Sequence, residues 1–218
     1  MKRRPLLAAA AAAVMMTGLT SANAHAVAPG ASGSGSLGAV DVIVGGEPVH
    51  QLPIAPCDVD GEQTGESGRV TVGDVATFYG GKTTCAVGEG EEAEVTVSGD
   101  RFVTDVLRQW GGPRIRLSGY DVSCRTSENG SSGWFELRGI GGIEVPEEVP
   151  PNYTAEIAGD DPEGPPIAKV VLNEFVTPEP PDGSMTMTAM RIVLFPEGGE
   201  QAGGDITVGT VACDPFGG

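Results

Sequence analysis

Basic residues are scarce in this chain. Thirteen Lys and Arg stand against 30 Asp and Glu, and three of the thirteen are Lys2, Arg3 and Arg4. Removing residues 1–26 takes the formal charge from −17 to −20, a field that repels nucleic acid and anionic lipid. Histidine is scarcer still, with His50 the only one beyond residue 26. A Ser/His/Asp relay needs a base to take the nucleophile's proton, and Val49-His50-Gln51 lies in an extended, Pro-flanked stretch that reads as an exposed or hydrogen-bonded histidine. No serine sits in Gly-x-Ser-x-Gly, no His-Glu-x-x-His occurs, and no glycine-rich segment ends in Lys-Ser or Lys-Thr. Hydrolase, zinc-enzyme and nucleotide readings lose their main support. Aromatic residues make up 5% of the chain. That leaves Trp110, Trp134, Tyr79, Tyr120 and Tyr153 as the sugar platforms, so a secreted glycosidase or lectin is only an alternative. Thirty acids guarantee neighbouring carboxylates, and their pairing carries no signal of glycoside cleavage.

A run long enough to span a bilayer is also missing. The apolar stretch from Leu6 to about Leu19 is short of the roughly 20 residues a crossing helix needs. It follows Lys2-Arg3-Arg4 and precedes small residues ending Ala24-His25-Ala26, the three-part order of a secretory signal peptide. Residues 1–26 are that signal. Cleavage falls after Ala24 or Ala26, with Ala26 favoured because a flexible Gly/Ser stretch begins soon afterwards. Lys2 and Pro5 fit a twin-arginine signal poorly, so Sec export is expected. No cysteine precedes Cys57, and residues 196–218 hold neither an apolar run nor a basic tail. Neither lipid anchoring, sortase linkage nor stable membrane insertion after cleavage is expected.

What the chain has in abundance is glycine, 34 residues, with 17 prolines, both of which penalise helix interiors. Val27 to Gly38 is Gly/Ser-rich and reads as a flexible leader. Residues 39–218 then form a single β-rich domain. Short β-branched runs between turn residues predict strands at 39–44, 69–78, 93–98, 114–124, 133–140, 167–175, 185–195 and 205–213. Ile115 and Leu117 alternate with Arg114 and Arg116, and Met185, Met187 and Ala189 with Thr186 and Thr188, giving each strand one buried face. Asp100–Trp110 is the one stretch with helical spacing. Residues 144–166, with six prolines and seven acids, read as a long exposed connection. The expected fold is an antiparallel β-sandwich or jelly-roll-like domain of eight to ten strands.

Cys57, Cys85, Cys124 and Cys213 make an even count in an exported chain, which implies two disulfides. No Cys-x-x-Cys pair points to zinc or redox exchange, and no cofactor is implied. Three pairings are open to the sequence. Cys85–Cys124 inside Cys57–Cys213 is the expectation, because the outer link would join the two ends of the domain. The acidic clusters Asp58/Asp60/Glu62, Glu89/Glu91/Glu92/Glu94 and Asp160/Asp161/Glu163 suggest weak divalent cation binding. No specific metal site follows, since Asp58-Val59-Asp60-Gly61-Glu62 lacks EF-hand spacing.

Three further segments carry a resemblance: Ala168-Lys169-Val170-Val171-Leu172-Asn173-Glu174, Met185 to Leu194, and Gly204 to Cys213. With Leu52-Pro53-Ile54-Ala55-Pro56 and Val122-Ser123-Cys124, they resemble the actinobacterial choice-of-anchor P family of secreted and surface proteins. The resemblance covers most of residues 38–213. It implies a strand-rich extracellular domain with no catalytic residue, fixed to the envelope by a C-terminal signal or released. This sequence departs from that pattern by ending at Cys213-Asp214-Pro215-Phe216-Gly217-Gly218 without an anchor, so it is expected to be free or held non-covalently. The leading expectation is thus a non-catalytic secreted protein, not an enzyme, loosely wall-associated at most, with an unknown extracellular or cell-wall partner. The alternative is a protease inhibitor presenting a disulfide-braced loop at Leu52–Pro56 or 144–166.

Overall fold

The computed structural model describes residues 30–88, 92–198 and 202–217. The expected signal peptide, both cleavage positions at Ala24 and Ala26, and Val27 to Pro29 of the leader lie outside those residues. Sixteen strands follow in order: β1 (Ser32–Val44), β2 (Glu47–Ile54), β3 (Cys57–Asp58), β4 (Thr64–Ser67), β5 (Val70–Val72), β6 (Ala76–Phe78), β7 (Gly81–Val87) and β8 (Ala93–Gly99). After them come β9 (Phe102–Thr104), β10 (Ile115–Leu117), β11 (Gly119–Ser127), β12 (Gly130–Arg138), β13 (Tyr153–Ile157), β14 (Ala168–Val176), β15 (Met185–Leu194) and β16 (Ala202–Asp214). One short 3₁₀ helix, Val106–Trp110, separates β9 from β10. Among the described residues no helix is long and apolar enough to cross a membrane.

The strands form an antiparallel sandwich. The first sheet has the order β13-β14-β15-β16-β1-β2, with β3 also pairing β1. The second has the order β12-β11-β8-β7-β4, and a four-stranded sheet has the order β10-β9-β6-β5. These last two are halves of one bent sheet. β4 runs on into β5, β6 into β7, β8 into β9 and β10 into β11, so the neighbours repeat in the same sequence on both sides of the bend. One core fills the space between the layers, with Leu37, Val40, Val95, Val97, Phe102, Val122, Ile192 and Val208 all fully buried. Each such side chain contributes about 1.5–3 kcal/mol by leaving water.

Several expectations are corrected. The Gly/Ser stretch is no leader, because residues 32–38 belong to β1, a central strand hydrogen-bonded on both sides. Its glycines are there for space. A Cβ on Gly33 would stand 2.7 Å from Val95 Cγ2, and one on Gly35 2.9 Å from Val95 Cγ1, so the sheets meet backbone against side chain. Leu52–Pro56 is no free loop either, since β2 pairs with β1 through Ile54 opposite Gly38 and Gln51 opposite Val40. Residues 144–166 contain the edge strand β13, paired with β14. Asp100–Trp110 divides into β9 and the 3₁₀ helix. The strand count exceeds eight to ten because 69–78 and 114–124 each break in two and because β2, β3, β4, β7, β9 and β13 lie outside the eight expected strands. β7 also escapes a search for apolar alternation, since its inward residues are Gly81, Thr83 and Cys85.

The four cysteines do form two disulfides, but in another pairing. Cys57 bonds Cys85 and Cys124 bonds Cys213, with Cα separations of 5.6 and 6.1 Å. The expected nesting of Cys85–Cys124 within Cys57–Cys213 fails for a topological reason. The two ends of the domain are already joined by the β1–β16 ladder, with Gly33 opposite Cys213. Each disulfide instead crosses the core, tying β3 to β7 and β16 to β11.

Candidate functional site

The bend creates the most distinctive surface. Along a regular strand, inward residues recur every second position. Across the bend they are three apart in each of three strands: Phe78 and Gly81, Gly99 and Phe102, Leu117 and Tyr120 are all buried or inward against the core. One extra residue per strand, repeated side by side, acts as a concerted bulge and folds the sheet. Tyr79 N donates to Arg101 O at 2.8 Å and Asp100 N to Gly80 O at 3.0 Å, so the strands stay joined through the turn. Gly80 has φ 117° and Gly81 φ 144°, and a Cβ on Gly81 would meet Ser98 O at 2.3 Å. Only glycine fits there.

The extra residues put Arg69, Tyr79 and Arg101 in one row over three adjacent strands. The register is Val70 opposite Phe78 and Phe78 opposite Phe102, so the three residues just beyond these positions also align. Both guanidinium carbons lie 4.8 Å from the centroid of the Tyr79 ring. Each such cation–π contact is worth about 0.5–1 kcal/mol at an exposed site. Among the described residues neither arginine forms an ion pair. Two adjacent positive charges are thus held on one ring without a carboxylate.

An open cleft of about 340 Å³ runs from this row to the other end of the half-sheet, floored by Thr77 and Val103. Arg114 closes the far end. Its Nε and Nη2 donate to Asp105 Oδ1 and Oδ2 at 2.7 and 2.8 Å, a two-pronged pair, and Arg108 Nη1 lies 3.7 Å from the same carboxylate. The hydrogen bond from Arg114 holds the Asp105 carboxyl below its usual range, outweighing the opposing effect of burial. Asp105 is therefore committed, and Asp74 is the other acid in the lining. Of the ten basic residues beyond residue 26, three (Arg69, Arg101 and Arg114) line the cleft. The arrangement can hold an anionic group, since planar guanidiniums grip carboxylate and phosphate by paired hydrogen bonds.

The residues singled out from sequence do not converge on this cleft, Tyr79 apart. His50 is exposed, with Nδ1 3.6 Å from Asp41 Oδ1 on the edge of the first sheet. Asp58 Oδ1 accepts from Asp60 N at 2.8 Å, and Asp161 Oδ1 accepts from Glu163 N at 3.1 Å. These two acidic clusters shape turns. Glu89 and Glu91 lie outside the described residues, and no group of three or more metal-ligating side chains occurs among the described residues. Tyr120 is buried and Trp110 packs edge-on against Phe195. The arginine row escaped the sequence because its members are far apart in the chain. The available signal was that each flanks a short apolar strand at the same register position.

Comparison of the chain with family models, with curated proteins and with solved structures finds no match.

Proposed function

We propose that this is a secreted, non-catalytic extracellular or envelope-associated domain that captures an anionic group of its partner between Arg69 and Arg101. One observation carries the reading. In a chain of net charge −17, two guanidiniums share the Tyr79 ring with no acidic partner among the described residues. Like charges placed together repel, and an anion in the cleft would relieve that repulsion. The signal-like residues 1–26 and the two disulfides support an extracellular setting, where such bonds persist. The resemblance to the choice-of-anchor P family points the same way and brings no catalytic residue.

The test is titration of the folded protein with sodium phosphate and sodium acetate, followed by amide chemical shifts. Shifts should centre on Arg69, Tyr79 and Arg101, weaken with added salt, and vanish in the Arg69→Ala/Arg101→Ala variant. Absence of saturable shifts there at low ionic strength would refute the anion site. Fractionation of producing cells checks the location. Mature protein in the medium, or released from the wall by salt or chelator, is the expected result, and membrane-held protein retaining residues 1–26 would overturn it.

A further inference from the structure

We propose that the outer face of the second sheet, beginning at Trp134, binds a neutral saccharide chain laid across its strands. The five outward residues Trp134, Ser123, Thr96, Thr84 and Thr64 stand in one unbroken row. Ser123 is opposite both Trp134 and Thr96, Thr96 is opposite Thr84, and Thr84 is opposite Thr64. At about 4.8 Å between strands, the row presents one side-chain hydroxyl per strand beside an indole. A β-linked pyranoside chain advances by about the same distance per sugar, so successive sugars meet equivalent groups.

Trp134 is 55% exposed, on an edge strand. An indole pairs a broad apolar face with one polar edge, which suits the C–H face of a pyranose ring. Next to it lies a depression of about 210 Å³ lined by Ser123, Ser132, Arg125 and Glu94. Arg125 Nη2 and Glu94 Oε1 are 3.5 Å apart. Together they offer donors and acceptors side by side, the complement of two neighbouring sugar hydroxyls. That pair is self-compensated, and the flanking row of Glu66, Lys82, Ser98, Asp121 and Glu136 gives no surplus of positive charge. The face therefore favours a neutral chain over an acidic one. It shares no residue with the arginine cleft.

The experiment is titration of the intact protein with cello-, xylo- and chito-oligosaccharides of one to six sugars, read by tryptophan emission. Affinity should rise with length until about four sugars, the span of the row at roughly 4.8 Å per strand, and then level off. Trp134→Ala should weaken binding at least about tenfold, while Trp134→Phe keeps part of it. Thr84→Ala/Thr96→Ala should weaken the hexasaccharide and leave the disaccharide unchanged. Arg69→Ala/Arg101→Ala should leave every sugar unaffected, which separates this site from the anion cleft. No change in emission with any chain at millimolar concentration would overturn the proposal, as would equal affinity for one sugar and six. Sedimentation supplies a further check, because a dimer that Trp134→Ala converts to monomer would make the indole a contact between copies instead.

Discussion

The phenol of Tyr120 donates a 2.8 Å hydrogen bond to the carbonyl of Leu37, joining the bent sheet to the central strand of the opposite layer. It does so where the β1–β16 ladder lapses. Pairing is present at Ser36 opposite Thr210 and at Gly38 opposite Val208, but not between them. The Tyr120 ring fills the space over Gly209, whose absent Cβ would stand 2.8 Å from ring carbon Cδ2. Burial pushes the phenol's pKa well above its ordinary value, so the group stays a donor. Tyr120→Phe should leave the carbonyl buried and unsatisfied, costing about 1–3 kcal/mol. Urea unfolding at neutral pH measures this, and a loss below a few tenths would show that another group serves Leu37.

The two disulfides should differ in their contribution to stability. They close loops of 28 and 89 residues, which the chain-entropy relation converts to about 3.6 and 4.6 kcal/mol. Removing Cys124–Cys213 as a double serine variant should cost more than removing Cys57–Cys85. Peptide mapping without reductant should first recover these two pairs. Recovery of Cys85 bonded to Cys124 would contradict the topology.

Close approach of the layers gives a third prediction. Gly33→Val and Gly35→Val each put a branched side chain against Val95, and overpacking of this kind costs about 1–3 kcal/mol. A flexible leader would tolerate either change. Thermal unfolding of the two variants distinguishes a core strand from a tether, and unchanged midpoints would remove β1 from the core.

Those glycines also show where the sequence was legible and where it was not. Ile115 and Leu117 alternate with Arg114 and Arg116 as a half-buried strand should, and Met185 and Met187 do the same. Apolar period 2 reports burial when bulky groups do the burying. At Gly33 and Gly35 of β1 the burying is done by Val95 and Val97 from across the core, so this half of the strand carries no such mark. Alternation also fails at the bend, where one added residue shifts the phase so that the buried Leu117 is followed by the buried Tyr120 three positions on. Phe102 and Val103 are both buried for a related reason, and their adjacency imitated a helix. The Arg69–Tyr79–Arg101 row depends on register over three strands. Register is set by long-range pairing, which residue spacing within one segment does not encode.

The Asp105–Arg114 pair sets an acid limit on the half-sheet that holds the cleft. The Asp105 carboxyl titrates below its ordinary range in the folded chain, chiefly through the hydrogen bond from Arg114. A depressed carboxyl adds stability above its unfolded pKa, and that stability is lost as pH falls through the folded value. Stability should thus be flat with respect to this group near neutral pH and decline below about pH 4. Asp105→Asn should remove its share of that decline and free the Arg114 guanidinium to face the cleft. Salt should shrink the difference from the native chain, since the pair is largely exposed and screened. Two measurements check this together: chemical unfolding from pH 2 to 7 at low and high salt, and phosphate titration at pH 7. The expected outcome is a shallower acid loss with tighter phosphate binding. An identical acid profile would show the pair to be energetically idle, and weaker phosphate binding would show that Asp105 positions Arg114 for the anion instead of competing with it.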